Sequence, residues 1–232
     1  AQSGLGSSST FTVGLLNALY NFKNSKINKK NYDLGIEAIH VELNLNKEIV
    51  GCQDQVAVSN GGFNNINFNK NGSIILNKIK LKKNFQTKLN KNLVLFSTGN
   101  FRRSNDISKT YASKLSKKYI SMNDLKIITA EAKKILQNGN KNINDLGKLL
   151  HESWKIKKKF SNKVSNDYID ELYSLGMKSG ATGGKLLGAG GGGFLLFYVP
   201  GNKKKILENL KKLVHVPFEF ENNGTKIIYK NL

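Results

Sequence analysis

Four stretches of this chain combine residue types that can do chemistry. Gly4-Leu5-Gly6-Ser7-Ser8-Ser9 sets two glycines and three hydroxyls directly before an apolar pattern with helical spacing. Glycine lets a backbone bend close to a ligand, and the amides and positive dipole end of a helix start favour phosphate. A serine hydroxyl there can ligate magnesium, although the same residues also make an ordinary serine-capped helix. The stretch lacks the lysine of a Walker loop, which argues against a P-loop NTPase.

Gly51-Cys52-Gln53-Asp54-Gln55 follows, with Glu42 twelve residues before Asp54. Phosphoryl transfer needs one group to orient or deprotonate an attacking hydroxyl and an anion to hold magnesium, and two separated carboxylates meet that need. A third stretch, Gly183-Gly184-Lys185-Leu186-Leu187-Gly188-Ala189-Gly190-Gly191-Gly192-Gly193, runs straight into the apolar Phe194-Leu195-Leu196-Phe197-Tyr198-Val199. A flexible linker is not normally followed at once by a buried strand, so these glycines read as backbone held close to another segment or an anion, with Lys185 able to meet a phosphate. The fourth stretch, Thr98-Gly99-Asn100-Phe101-Arg102-Arg103-Ser104, carries both arginines of the chain. A guanidinium fork suits a phosphate or a sugar.

The elements that must position these residues follow from periodicity. Phe11, Leu15, Leu16, Leu19 and Phe22 recur at three- and four-residue intervals and predict a helix after the first glycine loop. A second helix is expected over 32–45, and a helix or turn begins near Gly51. Short strands are expected at 73–76 and 78–81, then a polar link over 82–91 and a strand at 93–96 ending at Thr98-Gly99. Helices are expected over 107–118, 125–137, 143–159 and 165–178. A glycine loop, a strand over 194–199, a helix over 203–213 and closing strands near 216–220 and 225–229 complete the order. That order predicts an α+β protein with two domains, 1–90 and 91–232, rather than a repeating βαβ series.

Composition narrows the function classes. The chain has 232 residues, is 39% hydrophobic and carries a formal charge of +21. Of its 37 basic residues only Arg102 and Arg103 are arginine, and the lysines are scattered among Asn, Ile and Leu. This pattern argues against nucleic-acid readout and for solvated faces. No run reaches the roughly 20 apolar residues of a membrane span, so neither a membrane nor a nucleic acid is an expected partner. The single cysteine, Cys52, permits no internal disulfide and suits a reducing cytoplasm.

Taken together, the stretches resemble the GHMP kinase superfamily. GLGSSS looks like its second motif, GCQDQ like the glycine-x-x-Asp-Gln segment of its sugar kinases, and GGKLLGAGGGGFLLFYVP like its third motif. STGNFRRSND, LLHESWKIKKKFS and VPFEFENNGTKIIY resemble the branch that phosphorylates heptose 7-phosphate. The resemblance implies ATP and Mg2+ as cofactors, a sugar phosphate as substrate, and transfer to the anomeric hydroxyl to give the 1,7-bisphosphate. It implies that Gly4, Leu5, Gly6, Ser7, Ser8 and Ser9 cradle the nucleotide phosphates, that Ser8 and Glu42 hold magnesium, and that Asp54 faces the sugar hydroxyl. Arg102, Lys185 and the loop Gly190, Gly191, Gly192 and Gly193 would meet the substrate. The implied fold is an amino-terminal domain like the second domain of ribosomal protein S5, followed by a ferredoxin-like domain. A first family motif, expected upstream of Ala1, has no counterpart in the sequence, so an incomplete amino-terminal domain is expected. A fucose- or galactose-type kinase, an inactive fragment, or a sensor of sugar and nucleotide are the alternatives.

Overall fold

The structure is a computed structural model, describing residues 4–22, 30–99, 107–110, 119–139 and 143–229. The chain divides into two compact units. One comprises Gly6–Ile79 and returns for the stretch from Phe220 onward; the other comprises Lys80–Glu219 together with Gly4 and Leu5.

Among the described residues, three helices and a hairpin make up most of the first unit. Helix α1 spans Ser7–Phe22 and turns Ser9 and Val13 inward. The hydroxyls of Thr10 and Thr12 bond back to the carbonyls of Gly6 and Ser8 at 2.9 and 3.2 Å, which quiets two side chains that would otherwise compete with the helix. Helix α2, Asn31–His40, does not run regularly to Leu45 as its apolar pattern predicted. It widens into a π turn over Val41–Leu45, closed by the Asn46 amide on the Val41 carbonyl at 2.9 Å. That turn leaves Glu42 only 1% exposed. Helix α3, Gln53–Asn60, places Asp54 in its first turn and buries Gln55 and Val56.

Strands β1, Phe63–Phe68, and β2, Ile74–Ile79, pair antiparallel from Phe63 opposite Ile79 to Phe68 opposite Ile74. The two short strands expected at 73–76 and 78–81 are thus one strand, because Asn77 stays in register opposite Asn65 rather than breaking it. The returning stretch joins this unit through the Gly62 amide on the Glu221 carbonyl at 2.9 Å and the Thr225 amide on the Ser59 carbonyl at 3.2 Å. Phe220 meets Phe63 edge-on at 4.7 Å. Residues 216–220 and 225–229 form no strands; their backbone is held by isolated bonds such as the Val216 amide on the Leu95 carbonyl at 2.8 Å, and Ile228 and Tyr229 stay exposed.

The second unit opens with a correction. The polar stretch expected as a link is helix α4, Lys83–Asn92, because Phe85 and Leu89 lie one turn apart and bury together while the lysines remain exposed. Strand β3, Leu93–Ser97, follows. Residues 107–110 are helical, and the rest of the helix expected over 107–118 lies outside the described residues. Helices α5, Tyr119–Asn138, α6, Asp145–Lys158, and α7, Asp167–Lys178, come next. Asn166 caps α7 by accepting the Ile169 amide at 3.0 Å. Strands β4, Gly183–Leu186, and β5, Phe194–Tyr198, form a hairpin, and helix α8, Lys204–Asn209, leads to the short β6, Val214–His215.

The sheet runs β4-β5-β3-β6 with every pairing antiparallel. From the far edge, the strands therefore appear fourth, first, third, second, with helices after the first and third, which is the ferredoxin-like arrangement. Val94, Phe96, Leu186, Leu195 and Phe197 share a core with Trp154, Ile169, Tyr173, Ile206 and Leu210. Each such side chain stabilises the unit by about 1.5–3 kcal/mol relative to exposure. Strand β4 was hidden in the sequence because its glycines read as loop. A Cβ at Gly183 would lie 1.7 Å from the Gly147 carbonyl of α6, so glycine here marks a helix pressed against a strand rather than a bend.

Candidate functional site

In the first unit the candidate residues converge on one buried carboxylate. Glu42 Oε2 accepts from the Gln55 amide nitrogen at 2.6 Å and from the Ser9 hydroxyl at 3.2 Å. Its other oxygen, Oε1, is buried with no hydrogen-bond partner among the described residues, as is Oε1 of Gln55. Buried carboxylate oxygens are normally paired, so Oε1 is a position for a cation or a strong donor. Asp54 lies at the start of α3, and a Cβ built on Gly6 would sit 3.5 Å from its carboxylate, so the backbone before α1 passes directly over Asp54. Gly6 itself has φ 70°, a conformation that suits glycine. Ser7 opens α1, and Ser8 is exposed beside it. The hydroxyl that reaches Glu42 is that of Ser9.

In the second unit two glycine loops touch through bare backbone. A Cβ on Gly188 would lie 2.5 Å from the Gly4 Cα, and one on Gly4 would lie 3.0 Å from the Leu187 carbonyl. The loop that follows is fastened at several points. Lys157 donates to the Gly188 carbonyl, and the Gly191 amide donates to the Val164 carbonyl at 2.9 Å. The Thr98 amide donates to the Gly193 carbonyl at 2.9 Å, while the Thr98 hydroxyl donates to that carbonyl and accepts the Gly193 amide, each at 3.0 Å. Tyr168 in turn donates to the Thr98 carbonyl at 3.2 Å. Gly190 to Gly193 are all buried and all at positive φ, which no run of side-chain-bearing residues would adopt.

Lys185 sits on β4 opposite Leu196, half-buried, and among the described residues its ammonium makes no side-chain hydrogen bond or ion pair. Desolvation lowers its pKa, so a nearby anion would be strongly favoured. Burial, followed by the neighbouring Glu42 carboxylate, pushes the Cys52 thiol up. Burial also raises Tyr173 to about 12; its hydroxyl is shared between His151 Nδ1 at 2.7 Å and the Gly184 carbonyl, behind the strand that carries Lys185. Arg102 and Arg103 lie outside the described residues.

The chain matches the GHMP kinases N terminal domain over residues 1–62 and the GHMP kinases C terminal region over residues 132–215. It is 33% identical over 213 residues to a D-glycero-alpha-D-manno-heptose 7-phosphate kinase of Campylobacter jejuni, covering 90% of this chain and 62% of that protein. This chain belongs to the GHMP kinase family. Its fold is similar to that of a D-glycero-D-manno-heptose 1-phosphate kinase from Bacteriodes thetaiotaomicron, with TM-score 0.74 and 26% identity over 99% of this chain and 65% of that one. A mevalonate kinase aligns with TM-score 0.68 and 25% identity, over 94% of this chain and 65% of its own. This GHMP kinase chain therefore spans less than two thirds of the length of the relatives it matches.

GHMP kinases use ATP, and magnesium is the metal the family implies. Among the described residues no group of three or more His, Cys, Asp or Glu side chains gathers to cage a metal. Magnesium does not need one, since it keeps water and takes one or two carboxylates plus substrate phosphates. Glu42, with one oxygen gripped and one unpartnered, fits that role. Sequence reading did not assign a role to Gln55 at the Glu42 carboxylate of the first unit, or to Thr98 and Lys157 at the glycine loop of the second. Gln55 and Thr98 stand within stretches already marked by their motifs, but their contacts to Glu42 and Gly193 span 13 and 95 positions and carry no local signal. Among the described residues no helix is long and apolar enough to cross a membrane.

Proposed function

We propose that this chain carries the nucleotide- and metal-binding parts of an ATP-dependent, cytoplasmic sugar kinase whose acceptor is the anomeric hydroxyl of D-glycero-D-manno-heptose 7-phosphate. The observation that carries the reading is the buried Glu42 carboxylate with one oxygen left unpartnered, in the same unit as Asp54 packed beneath Gly6. The likeness to the heptose 7-phosphate kinase of Campylobacter jejuni supports the choice of sugar.

In this reading Gly4 to Ser9 receive the nucleotide phosphates through backbone amides and the start of α1. Ser8 and Glu42 would hold magnesium, which when bound would supply neutralisation of charge on the transferred phosphoryl group. Asp54 accepts the proton of the anomeric hydroxyl as that oxygen bonds to the γ-phosphorus; the bond to the β,γ-bridging oxygen breaks and ADP leaves with its electron pair. Such a base contributes about 10²–10⁴ in rate. Lys185 and the buried Gly190–Gly193 backbone, together with Arg102, bind the anionic substrate.

The test is magnesium-dependent ADP release with a sugar panel, using this chain, a form extended to the length of the curated relative, and Asp54→Ala in each. Turnover with the heptose 7-phosphate that disappears in Asp54→Ala is expected. Turnover with the heptose 1-phosphate, or only with galactose or fucose, would keep the kinase reading and reject this acceptor. ATP binding without turnover on any sugar would favour a sensor.

A further inference from the structure

Gln55 is fully buried, yet only one end of its amide is satisfied. Its nitrogen donates to Glu42 Oε2 at 2.6 Å, while its oxygen has no partner among the described residues. A buried glutamine kept only for packing would have both ends paired or be replaced by an apolar residue of similar volume. The one bond its side chain makes, with that from Ser9, falls on the same oxygen of Glu42, and the other oxygen receives nothing from the described residues.

Both donors are neutral. A lysine or arginine in place of Gln55 would fix the carboxylate but cancel its charge and repel an incoming cation. An amide and a hydroxyl fix its orientation and leave the full negative charge available. The π turn over Val41–Leu45 and the first turn of α3 bring the two sides of this grip together.

We propose that Gln55, assisted by Ser9, is a positioning residue for the cation site. It clamps Glu42 by Oε2 so that Oε1 stays free to take the divalent ion. This rests on the kinase reading above, in which Glu42 is a magnesium ligand.

The test reads metal binding directly, without turnover. Water-proton relaxation enhancement by Mn2+ in the presence of ADP is measured for this chain, Gln55→Met and Ser9→Ala. Metal-free ADP affinity and the thermal midpoint without metal serve as controls. Gln55→Met is expected to weaken Mn2+ about 10–100-fold, the usual effect of removing a hydrogen-bond partner behind a metal ligand, with metal-free ADP affinity unchanged. Ser9→Ala should weaken it less. Mn2+ affinity of Gln55→Met within about threefold of the parent overturns the proposal, and so does an equal loss of metal-free ADP binding. If Gln55→Met does not fold, Gln55→Asn, which keeps an amide but shortens its reach to Glu42, decides on the same terms. A parent chain that binds ADP but takes up no Mn2+ overturns both the proposal and the magnesium role on which it rests. Normal Mn2+ binding by the parent and its loss in Gln55→Met, with no sugar phosphorylated, leaves the proposal standing and removes only the kinase reading.

Discussion

Replacing Thr98 by valine keeps the shape of a β-branched side chain and removes one oxygen, so its cost can be worked from the bonds around Gly193. The Gly193 carbonyl retains the Thr98 amide, but the Gly193 amide loses its acceptor in a site where both residues are buried. An orphaned buried donor costs about 1–3 kcal/mol. The new methyl would also stand where a hydroxyl now sits 3.0 Å from both the nitrogen and the oxygen of Gly193, closer than carbon tolerates, so the loop must shift. We expect Thr98→Val to destabilise the second unit by about 2–4 kcal/mol. Thr98→Ser keeps the hydroxyl and loses one methyl, about 0.8 kcal/mol. The assay is urea unfolding followed by fluorescence of Trp154, the single tryptophan, which is buried in that unit's core. A valine variant as stable as the serine variant would refute the idea that Thr98 latches the glycine loop.

Three further outcomes follow from the same geometry. Gly183→Ala drives a Cβ to 1.7 Å from the Gly147 carbonyl and should lower the thermal midpoint by about 6–12 °C, corresponding to roughly 3 kcal/mol, as read by calorimetry. Lys185 has a folded pKa below its unfolded value of about 10.4, so the unfolded chain binds more protons between the two and stability rises with pH there. Lys185→Met should flatten that rise and stabilise the chain at neutral pH while weakening binding of an anionic sugar phosphate; urea midpoints across pH and a binding isotherm check both parts. Cys52, with its thiol pKa raised by burial and by Glu42, should be alkylated at neutral pH more slowly in the native chain than in urea, and equal rates would contradict the buried setting.

Much of the fold was legible because its signals are local. The apolar spacing that predicted helices over 143–159 and 165–178 is the spacing that buries Trp154, Ile169 and Tyr173. The Phe194 strand was legible for the same reason, being apolar on both faces. Where the reading failed, two local signals conflicted or a distant one decided. Helix α4 was obscured by lysine and asparagine, although two apolar residues a turn apart suffice to seat it. Strand β4 was obscured because glycine serves equally for a bend and for close packing, and only the position of α6 distinguishes them. The pattern over 216–229 alternates like a strand but finds no long partner edge. At the candidate site the residue types were visible in the motifs. That Ser9 and Gln55 grip one oxygen of Glu42 depends on a π turn that no periodicity announces.

The first unit is not continuous along the chain. The Ser59 carbonyl accepts from the Thr225 amide, the Gly62 amide donates to the Glu221 carbonyl and Phe63 meets Phe220, and a Cβ on Gly224 would come within 1.8 Å of the Ser59 carbonyl. A ribosome making this chain delivers α1 to β2 well before the stretch that completes them, with the whole of the ferredoxin-like unit emerging in between. Synthesis proceeds at about 5–20 residues per second, so the nascent first unit waits several seconds with the Ser59–Phe63 backbone uncovered. The two units therefore have a built-in order of maturation: the later-made one can close first, and the earlier-made one, which holds Glu42 and Asp54, gains its returning stretch only after Phe220 and the residues beyond it are made.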